Sequence, residues 1–441
     1  MAQWFGGALI PIAIIYFANF FDFFLLEGFV IVHPTISETH GWTESSLTSI
    51  LSICKFTMML TCPIVAFASS RVAAHNILIF GLVCLAISAL GQAISKSFMM
   101  FAISKVFHGI SSPAMMLSGM SILTHLSEKT TRGKYASYGY AGIAHGLLVA
   151  PFITGEMLEA LGQFWNYILI FICITFIVLC AVVHFHKLRF GRQEDMADDK
   201  SADMSLFEPI KGKDVKALLK IILSNPWMIA AVSSCFLVGL SIGANESVLP
   251  VILHQKEHGL SDRTVTLIWT SCSVSYTIMA TLTGYFADRI PPIKLVLGGM
   301  VLFTVTYALM PYICSSIGGL TAFVALTGGL TSFLDVAAYP LIASVVDTAD
   351  IPNAYIIGYS IEYCLEQAAY AIGQYAGEPL YELTNSLHPV SYMVAGSDLC
   401  LFAFVCFCLL VYPGHRFVKV SDAVSSCKDT SDITEIIEEQ I

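Results

Sequence analysis

The segment Gly284–Lys294, with the sequence GYFADRIPPIK, is a short polar connection between two apolar runs, residues 264–287 and 293–313. An α-helix needs about 20 apolar residues to cross the hydrocarbon core of a membrane, and each run is long enough. The glycine permits close approach of two helices, and Asp288 and Arg289 are suited to bridge neighbouring helix ends. The segment therefore predicts two adjacent membrane spans joined by a charged turn.

The same length criterion, applied outward from this segment in both directions, predicts twelve spans. They are residues 8–33, 46–70, 75–95, 98–124, 135–160, 164–188, 226–254, 264–287, 293–313, 318–346, 353–382 and 390–413. One long polar insertion separates the first six from the last six. We therefore predict an all-α membrane protein of two six-helix bundles, residues 1–188 and 225–413, with a linker at 189–224 and an acidic tail at 414–441.

The composition agrees with a lipid environment and excludes several classes of function. Hydrophobic residues make up 56% of the 441 and charged residues only 12%, against roughly a quarter charged in soluble domains. The net charge of -10 comes partly from the tail and does not indicate a nucleic-acid partner. The 13 cysteines lie almost entirely in apolar runs and form no CxxC pair. Because no metal cluster, nucleophile motif or phosphate loop is present, we expect no cofactor, no metal and no enzymatic activity.

The distribution of lysine and arginine predicts the orientation of the chain. With both termini in the cytoplasm, 17 of the 22 basic residues fall on the cytoplasmic side, three on the opposite side and two within spans.

The two halves resemble each other at an offset of 218 residues. Three pairs share this offset: His40-Gly41 with His258-Gly259, Arg71 with Arg289, and Gly81 with Gly299. Such a parallel repeat predicts a substrate path between the two bundles near the middle of the membrane.

Two segments resemble signatures of the major facilitator superfamily. Gly284–Lys294 is similar to its loop signature, of which the first half keeps only Arg71. The stretch Gly142–Gly155 is similar to the antiporter signature of the fifth helix, in which small residues allow tight packing and Pro151 bends the span.

Within that superfamily, residues 10–412 resemble the vesicular amine transporters, the monoamine and acetylcholine carriers. The matching segments are Phe21-Asp22, Cys54-Lys55, Thr131–Gly133, Asn245–Pro250, Ser273–Tyr276, Leu334–Asp347 and Tyr359–Gly373. In that family these positions supply proton-coupling carboxylates and cation-binding groups. The resemblance implies a proton-coupled antiporter that carries a small organic cation into an acidic vesicle or compartment.

The charged residues inside the spans support the same function. An ionisable group in a membrane span costs free energy and usually has a functional role. Acids outnumber bases seven to two, which suits a positive substrate. They are Asp22, Glu27, Glu156, Glu246, Asp335, Glu362 and Glu366, with Lys55 and Lys105. A buried carboxylate exchanges a proton for a nearby cation, and aromatic rings bind ammonium groups. The aromatic candidates include Tyr276, Tyr339, Tyr363 and Tyr370.

Several of these candidates also have a purely structural interpretation. Asp22 is flanked by phenylalanines without a local partner, and Glu246 precedes Pro250 in a helix that is a candidate for breaking. Helix pairing or a polar packing contact remains open for both. For Lys105 and His108 we favour a structural role in hydrogen bonding. Glu27 lies roughly 140° around the helix from Asp22, and we expect it to face elsewhere.

The eleventh span departs from the family, because its aspartate position is occupied by Tyr363. Glu366 lies one turn beyond Tyr363 on nearly the same face, whereas Glu362 is about 100° away. We therefore favour Glu366 as the replacement. Lys55 is expected to pair with an eleventh-span glutamate.

On the cytoplasmic side, Arg132, Asp288 and Arg289 are expected to close the path. There the family's basic residues after the tenth span are replaced by Asp347–Asp350.

The tail segment Asp432–Ile437 resembles an acidic di-leucine sorting signal that would bind a sorting adaptor, although its composition favours a plain solvated tail. It favours a vesicle or endosome membrane, with the plasma membrane as the other location.

Two alternatives to cation antiport stay open. One is a uniporter or proton symporter for a neutral or anionic solute, and the other is a non-transporting, receptor-like membrane protein.

Overall fold

The computed structural model describes residues 2–41, 46–195, 225–254, 262–348 and 354–411. Every regular element within these ranges is an α-helix. In chain order they are α1 Ala2–His40, α2 Ser46–Ala68, α3 Ala74–Ile94, α4 Phe98–Leu126, the segment Arg132–Asp195 that holds α5 and α6, α7 Pro226–His254, α8 Asp262–Ala287, α9 Pro292–Ile313, α10 Ile317–Asp347, α11 Tyr355–Thr384 and α12 His388–Val411.

The helices α5 and α6 meet at Gly162, where the backbone leaves the helical conformation with φ 76° and ψ 171°. Glycine adopts a positive φ at little cost because it has no Cβ. The break lies in the predicted gap between the fifth and sixth spans. The predicted all-α architecture of twelve helices is therefore confirmed in the described residues.

Length and composition identify this chain as a multi-pass membrane protein. Within the described ranges, nine helical segments are long and apolar enough to cross a membrane, with α5 and α6 counted as one. The helices α8 and α11 are not among them, because α8 is rich in serine and threonine and α11 carries Glu362 and Glu366. Large apolar side chains cover the outer surface, for example Phe176 and Leu410, which are 66% and 80% exposed. That surface suits lipid.

The two halves use the same local packing at the offset seen in the sequence. A Cβ atom at Gly81 would lie 2.6 Å from the Met115 side chain, and one at Gly299 would lie 3.0 Å from the Phe333 ring. Both pairs are related by 218 residues, since 299 − 81 and 333 − 115 give the same difference. Glycine therefore lets α3 approach α4, and α9 approach α10, in equivalent ways.

The halves contact each other mainly through α2 with α11 and α5 with α8. At the second contact, a Cβ on Gly133 would lie 2.7 Å from the carbonyl oxygen of Gly284. Only glycine allows the backbones to come this close. The contact confirms close helix approach at the glycine of the GYFADRIPPIK segment.

Residues 196–224 of the predicted linker and the predicted sorting segment Asp432–Ile437 lie outside the described residues. The domain boundaries therefore stay predictions.

Candidate functional site

Asp22, in the middle of α1, is buried and has two polar partners on α4. Its Oδ1 atom lies 2.9 Å from His108 Nε2, and Ser112 Oγ donates to its Oδ2 atom at 2.6 Å. Ser112 Oγ also lies 3.1 Å from the hydroxyl of Tyr363 on α11. Asp22 thus has no partner close to it in the sequence, and both partners come from a helix far away along the chain. The chain Asp22–Ser112–Tyr363 connects the two halves.

Lys105 is fully buried on α4 and contacts α1. Its Nζ atom donates to the carbonyl oxygen of Leu25 at 3.2 Å and lies 4.4 Å from the centre of the Phe29 ring. These are the structural contacts that the sequence favoured for Lys105.

Lys55 on α2 faces Tyr370 on α11. Its Nζ atom lies 4.4 Å from the centre of the Tyr370 ring, a cation–π contact, and the Tyr370 hydroxyl donates to Glu246 on α7. Among the described residues, no carboxylate lies within 4.0 Å of the Lys55 ammonium. The predicted ion pair between Lys55 and an eleventh-span glutamate is therefore wrong, because the Tyr370 ring, one turn beyond Glu366, packs against the ammonium.

The Lys55 charge still acts at longer range on three carboxylates. These are Glu27, Glu246 and Glu366. Glu27 thus faces the interior beside Lys55 and Glu246, away from Asp22, as its position around the helix predicts.

Asp335, Glu362 and Glu366 form a second group of acids, which we call the three-carboxylate cluster. Asp335 on α10 is 6% exposed and Glu362 on α11 is fully buried, and both interact electrostatically with Glu366. Tyr276 donates to Asp335 Oδ2 at 3.4 Å. Both Glu362 oxygens lack a hydrogen bond of normal geometry within the described part of the chain, although Cys235, Tyr339 and Glu366 lie close. The preference for Glu366 over Glu362 remains a prediction, since both glutamates face this cluster.

Aromatic rings border the cluster. The Tyr339 ring lies 4.5 Å from that of Tyr359 and 5.4 Å from that of Tyr140 on α5, measured between ring centres. The hydroxyl group of Tyr339 is buried and lies close to Glu362, without a hydrogen bond of normal geometry in the described residues. The surroundings of the cluster thus combine carboxylates with ring faces, the groups that bind organic ammonium ions.

Arg132, at the start of α5, forms an ion pair across the two halves. Its Nη1 atom lies 2.6 Å from Asp347 Oδ2 at the end of α10, and its Nη2 atom donates to Asp347 Oδ1 at 3.1 Å. The Tyr355 hydroxyl accepts from Arg132 at 3.1 Å and donates to Asp347 at 2.6 Å. We call these three residues the Arg132 gate. A two-point arginine–carboxylate pair fixes both the distance and the angle between its partners, so it joins the start of α5 to the end of α10.

Asp288 and Arg289 differ in what they contact. Asp288 accepts hydrogen bonds from the backbone N–H groups of Gly133 and Lys134 at 2.7 and 3.1 Å, at the positive end of the α5 dipole. Burial raises the pKa of Asp288, and these two donors oppose the rise. Within the described residues Arg289 contacts the end of the preceding helix α8, at the carbonyl oxygen and ring of Tyr285. The expectation that Arg289 bridges the helices is therefore wrong, because its side chain folds back along α8.

Solvent access differs between the two ends of the site. The Glu246 side chain is exposed and those of Lys55 and Glu366 are half-buried, whereas Asp22, Asp335 and Glu362 are buried. Glu246 lies in the half of the membrane away from the Arg132 gate. Glu246 is thus the most exposed of these acids.

One remaining predicted residue lies inside a helix. Three further candidates were not predicted from the sequence. Pro151 lies inside α5, half-buried. Asp347 and Tyr355 of the gate were not predicted as partners of Arg132. Asp398 on α12, fully buried and accepting from Thr304 at 2.9 Å, was missed as well. The presence of an acid within the twelfth span was the signal that could have found it.

Comparison with known proteins shows relatives along most of the chain. The family model of the Major Facilitator Superfamily matches residues 12–251 and 232–424. The human synaptic vesicular amine transporter is 23% identical over 362 residues, which are 81% of this chain and 65% of that protein. The rat chromaffin granule amine transporter is 22% identical over 376 residues, 84% of this chain and 66% of that protein. The chain thus spans about two thirds of the length of these curated relatives.

A solved structure with the same fold is that of the human organic anion transporter MFSD10 (TETRAN). It superposes with a TM-score of 0.66 at 15% identity and covers 90% of this chain and 99% of its own. At this identity the likeness shows the fold. With two six-helix halves, charged residues between them and a family model that matches both, the chain belongs to the Major Facilitator Superfamily of membrane transporters.

Proposed function

We propose that this protein is a proton-coupled antiporter that moves a small organic cation into an acidic compartment. The observation that carries the proposal is the three-carboxylate cluster, which lies between the halves without a cationic side chain within 4.0 Å in the described residues. A carboxylate away from water needs either a proton or a positive partner. The relatives' names, which refer to amines and vesicles, support the same substrate class and location.

The exchange follows from competition for the same oxygen atoms. An organic ammonium ion and a proton both neutralise a buried carboxylate, so binding of one releases the other. In this proposal Asp335, beside Tyr276, carries the proton in the absence of substrate. Lys55, Tyr370 and Glu246 line the open end of the path and give it a further charge-sensitive contact.

The two ends of the path open in turn. We place the termini in the cytoplasm, which puts the Arg132 gate on the cytoplasmic side and the Glu246 opening on the luminal side. The closed gate then corresponds to the state that exchanges substrate for luminal protons. Opening of the gate requires separation of Arg132 from Asp347.

Transport of an anion is the less favoured function. An anionic substrate needs a free buried base. Lys105 donates to a backbone carbonyl and Lys55 is packed against Tyr370, so both cations already have contacts.

Uptake into proteoliposomes with an acidic interior tests the proposal. We expect accumulation of at least one quaternary or primary organic cation above protein-free vesicles, collapse by a proton ionophore, and loss in Asp335→Asn. The matched control is Glu382→Gln on the same helix as Glu362, since Glu382 is exposed. Failure of every cation to accumulate, in protein shown to be folded and inserted, would reject the proposal.

A further inference from the structure

Two cysteines lie opposite each other where α2 of the first half meets α11 of the second. Cys62 is buried and Cys364 is half-buried, both thiols are free, and their side chains interact with each other. The two sulfur atoms also face neighbouring carbonyl groups of α2. Cys62 Sγ donates to the carbonyl oxygen of Met58 at 3.2 Å, and Cys364 Sγ donates to that of Met59 at 3.6 Å. We call Cys62 and Cys364 the cross-half thiol pair.

The thiol pair belongs to a regular series of contacts between the two helices. Ser52 Oγ on α2 donates to Gln374 on α11 at 3.4 Å, and Lys55 Nζ lies 4.4 Å from the centre of the Tyr370 ring. In these two contacts and in the thiol pair, the two residue numbers add up to 425 or 426. The helices therefore run antiparallel in a constant register, and this register brings the thiols together.

The thiol pair lies between the Arg132 gate and the contact of Lys55 with Tyr370. Tyr355 of the gate begins α11, and Cys364 follows nine residues later, which is about 14 Å along the helix axis. Tyr370 lies about 9 Å further along the same axis. In a carrier that alternates by rocking one half against the other, opening of the gate end separates α2 from α11 at the level of the thiol pair.

We propose that Cys62 and Cys364 are an oxidation site, at which hydrogen peroxide forms a disulfide bond between the two halves and prevents the gate end from opening. The more exposed thiol, Cys364, reacts first. Its S–H bond and the O–O bond of the peroxide break, which gives a sulfenic acid and one water molecule. The Cys62 thiol then attacks this sulfur, the S–S bond forms, and the sulfenic hydroxyl leaves with the Cys62 proton as a second water. The thiols lose two electrons to the peroxide, and a dithiol reductant restores them.

Such a bond acts on the moving parts of the carrier and not on its carboxylates. A disulfide keeps the two Cα atoms within about 7 Å of each other, so α2 and α11 cannot part at this level. The inference therefore goes beyond the proposed cation antiport. It predicts that oxidation stops exchange of any solute that has to pass the gate end.

The first measurement detects the bond in the purified full-length protein. Protein treated with hydrogen peroxide is blocked with N-ethylmaleimide, digested without reductant and analysed by mass spectrometry. We expect a cross-linked species that joins the peptides of Cys62 and Cys364 and is removed by dithiothreitol. Cys364→Ser is expected to abolish it. Cys173→Ser, at an exposed cysteine of α6, is the matched control and is expected to keep it.

The second measurement follows the gate end by hydrogen–deuterium exchange of the same samples. The backbone N–H groups of Gly133 and Lys134 donate to Asp288 across the two halves, so they exchange when this end opens. We expect oxidation to slow their exchange by at least about tenfold, with dithiothreitol restoring the rate. The same slowing is expected in Cys173→Ser and not in Cys364→Ser.

Folding of each protein is checked first by size-exclusion chromatography, and Cys364→Ala replaces Cys364→Ser if the latter does not fold. Absence of the bond between Cys62 and Cys364 after oxidation of folded protein, or bonds to other cysteines only, would overturn the proposal. Formation of the bond without any change in exchange would overturn the closure of the gate end. Both results leave the proposed cation antiport to its own uptake measurement.

Discussion

Ser111 and Ser112 are neighbouring buried serines on α4 with different partners. Ser112 donates to Asp22 at 2.6 Å, whereas Ser111 donates to the carbonyl oxygen of His108 in its own helix at 2.8 Å. Because Ser112→Ala leaves a buried carboxylate oxygen without its donor, we expect it to cost about 1–3 kcal/mol of stability. Ser111→Ala is the matched control and is expected to cost less. Thermal melting measures both, and equal melting temperatures would contradict the assigned role of Ser112.

Tyr370 has two separable contacts at the open end of the path. Its ring packs on Lys55 and its hydroxyl donates to Glu246. Tyr370→Phe removes only the hydroxyl, so we expect cation uptake to fall by about tenfold, the effect of losing a hydrogen bond to a charged group. Tyr375→Phe, at an exposed position on the same helix, is expected to leave uptake unchanged. Unchanged uptake in Tyr370→Phe would exclude this contact from the transport path.

At the scale of elements, the positions of the helices were predictable because apolar length is a local property of the sequence. The break at Gly162 fell in the predicted gap, and the 218-residue offset recurs in the packing of Gly81 and Gly299. The contacts of the charged residues were not predictable in the same way. Asp22 meets partners 86 and 90 residues away, and Ser112 meets Tyr363 at a separation of 251. Such pairs depend on how whole helices pack.

Two further misses have specific reasons. The ion pair expected for Lys55 is not formed, because the Tyr370 ring packs against the ammonium group where a carboxylate was expected. Sequence spacing does not reveal which of these two contacts a lysine makes. Asp347 was recognised only as a departure from the family, yet it holds Arg132. An acidic residue at a position where the family has a basic one indicates a basic partner elsewhere. Arg132 in the other half is that partner.

The contact between α5 and α8 tolerates little added volume. A Cβ atom at Gly133 would lie 2.7 Å from both Ala287 and the Gly284 carbonyl oxygen. Gly133→Leu is therefore expected to separate the two helices, to cost about 1–3 kcal/mol of stability and to weaken the hydrogen bonds to Asp288. Gly298→Leu, where added atoms meet nothing within 4 Å, is the control. Equal thermal stability of the two variants would contradict the close approach.

At the scale of the whole molecule, the proposed transport cycle requires the Arg132 gate to open before the path can reach the cytoplasm. Thr124 lies behind it, hydrogen-bonded to Tyr359 at 2.7 Å. In a background with the native cysteines replaced, we expect Thr124→Cys to react slowly with a membrane-impermeant thiol reagent. Added Asp347→Asn breaks the pair with Arg132 and is expected to accelerate labelling by about tenfold. Glu128→Gln, an exposed charge change at the same end, is the control, and fast labelling without Asp347→Asn would contradict a closed gate.

The central claim is that a cation and protons compete for the same buried carboxylates. The most direct test adds a substrate cation to purified protein in weakly buffered detergent solution and follows the pH with an indicator dye. The account predicts release of protons on binding, with the release lost or sharply reduced in Asp335→Asn and retained in Glu382→Gln. Saturable binding of the cation without any release of protons would contradict it.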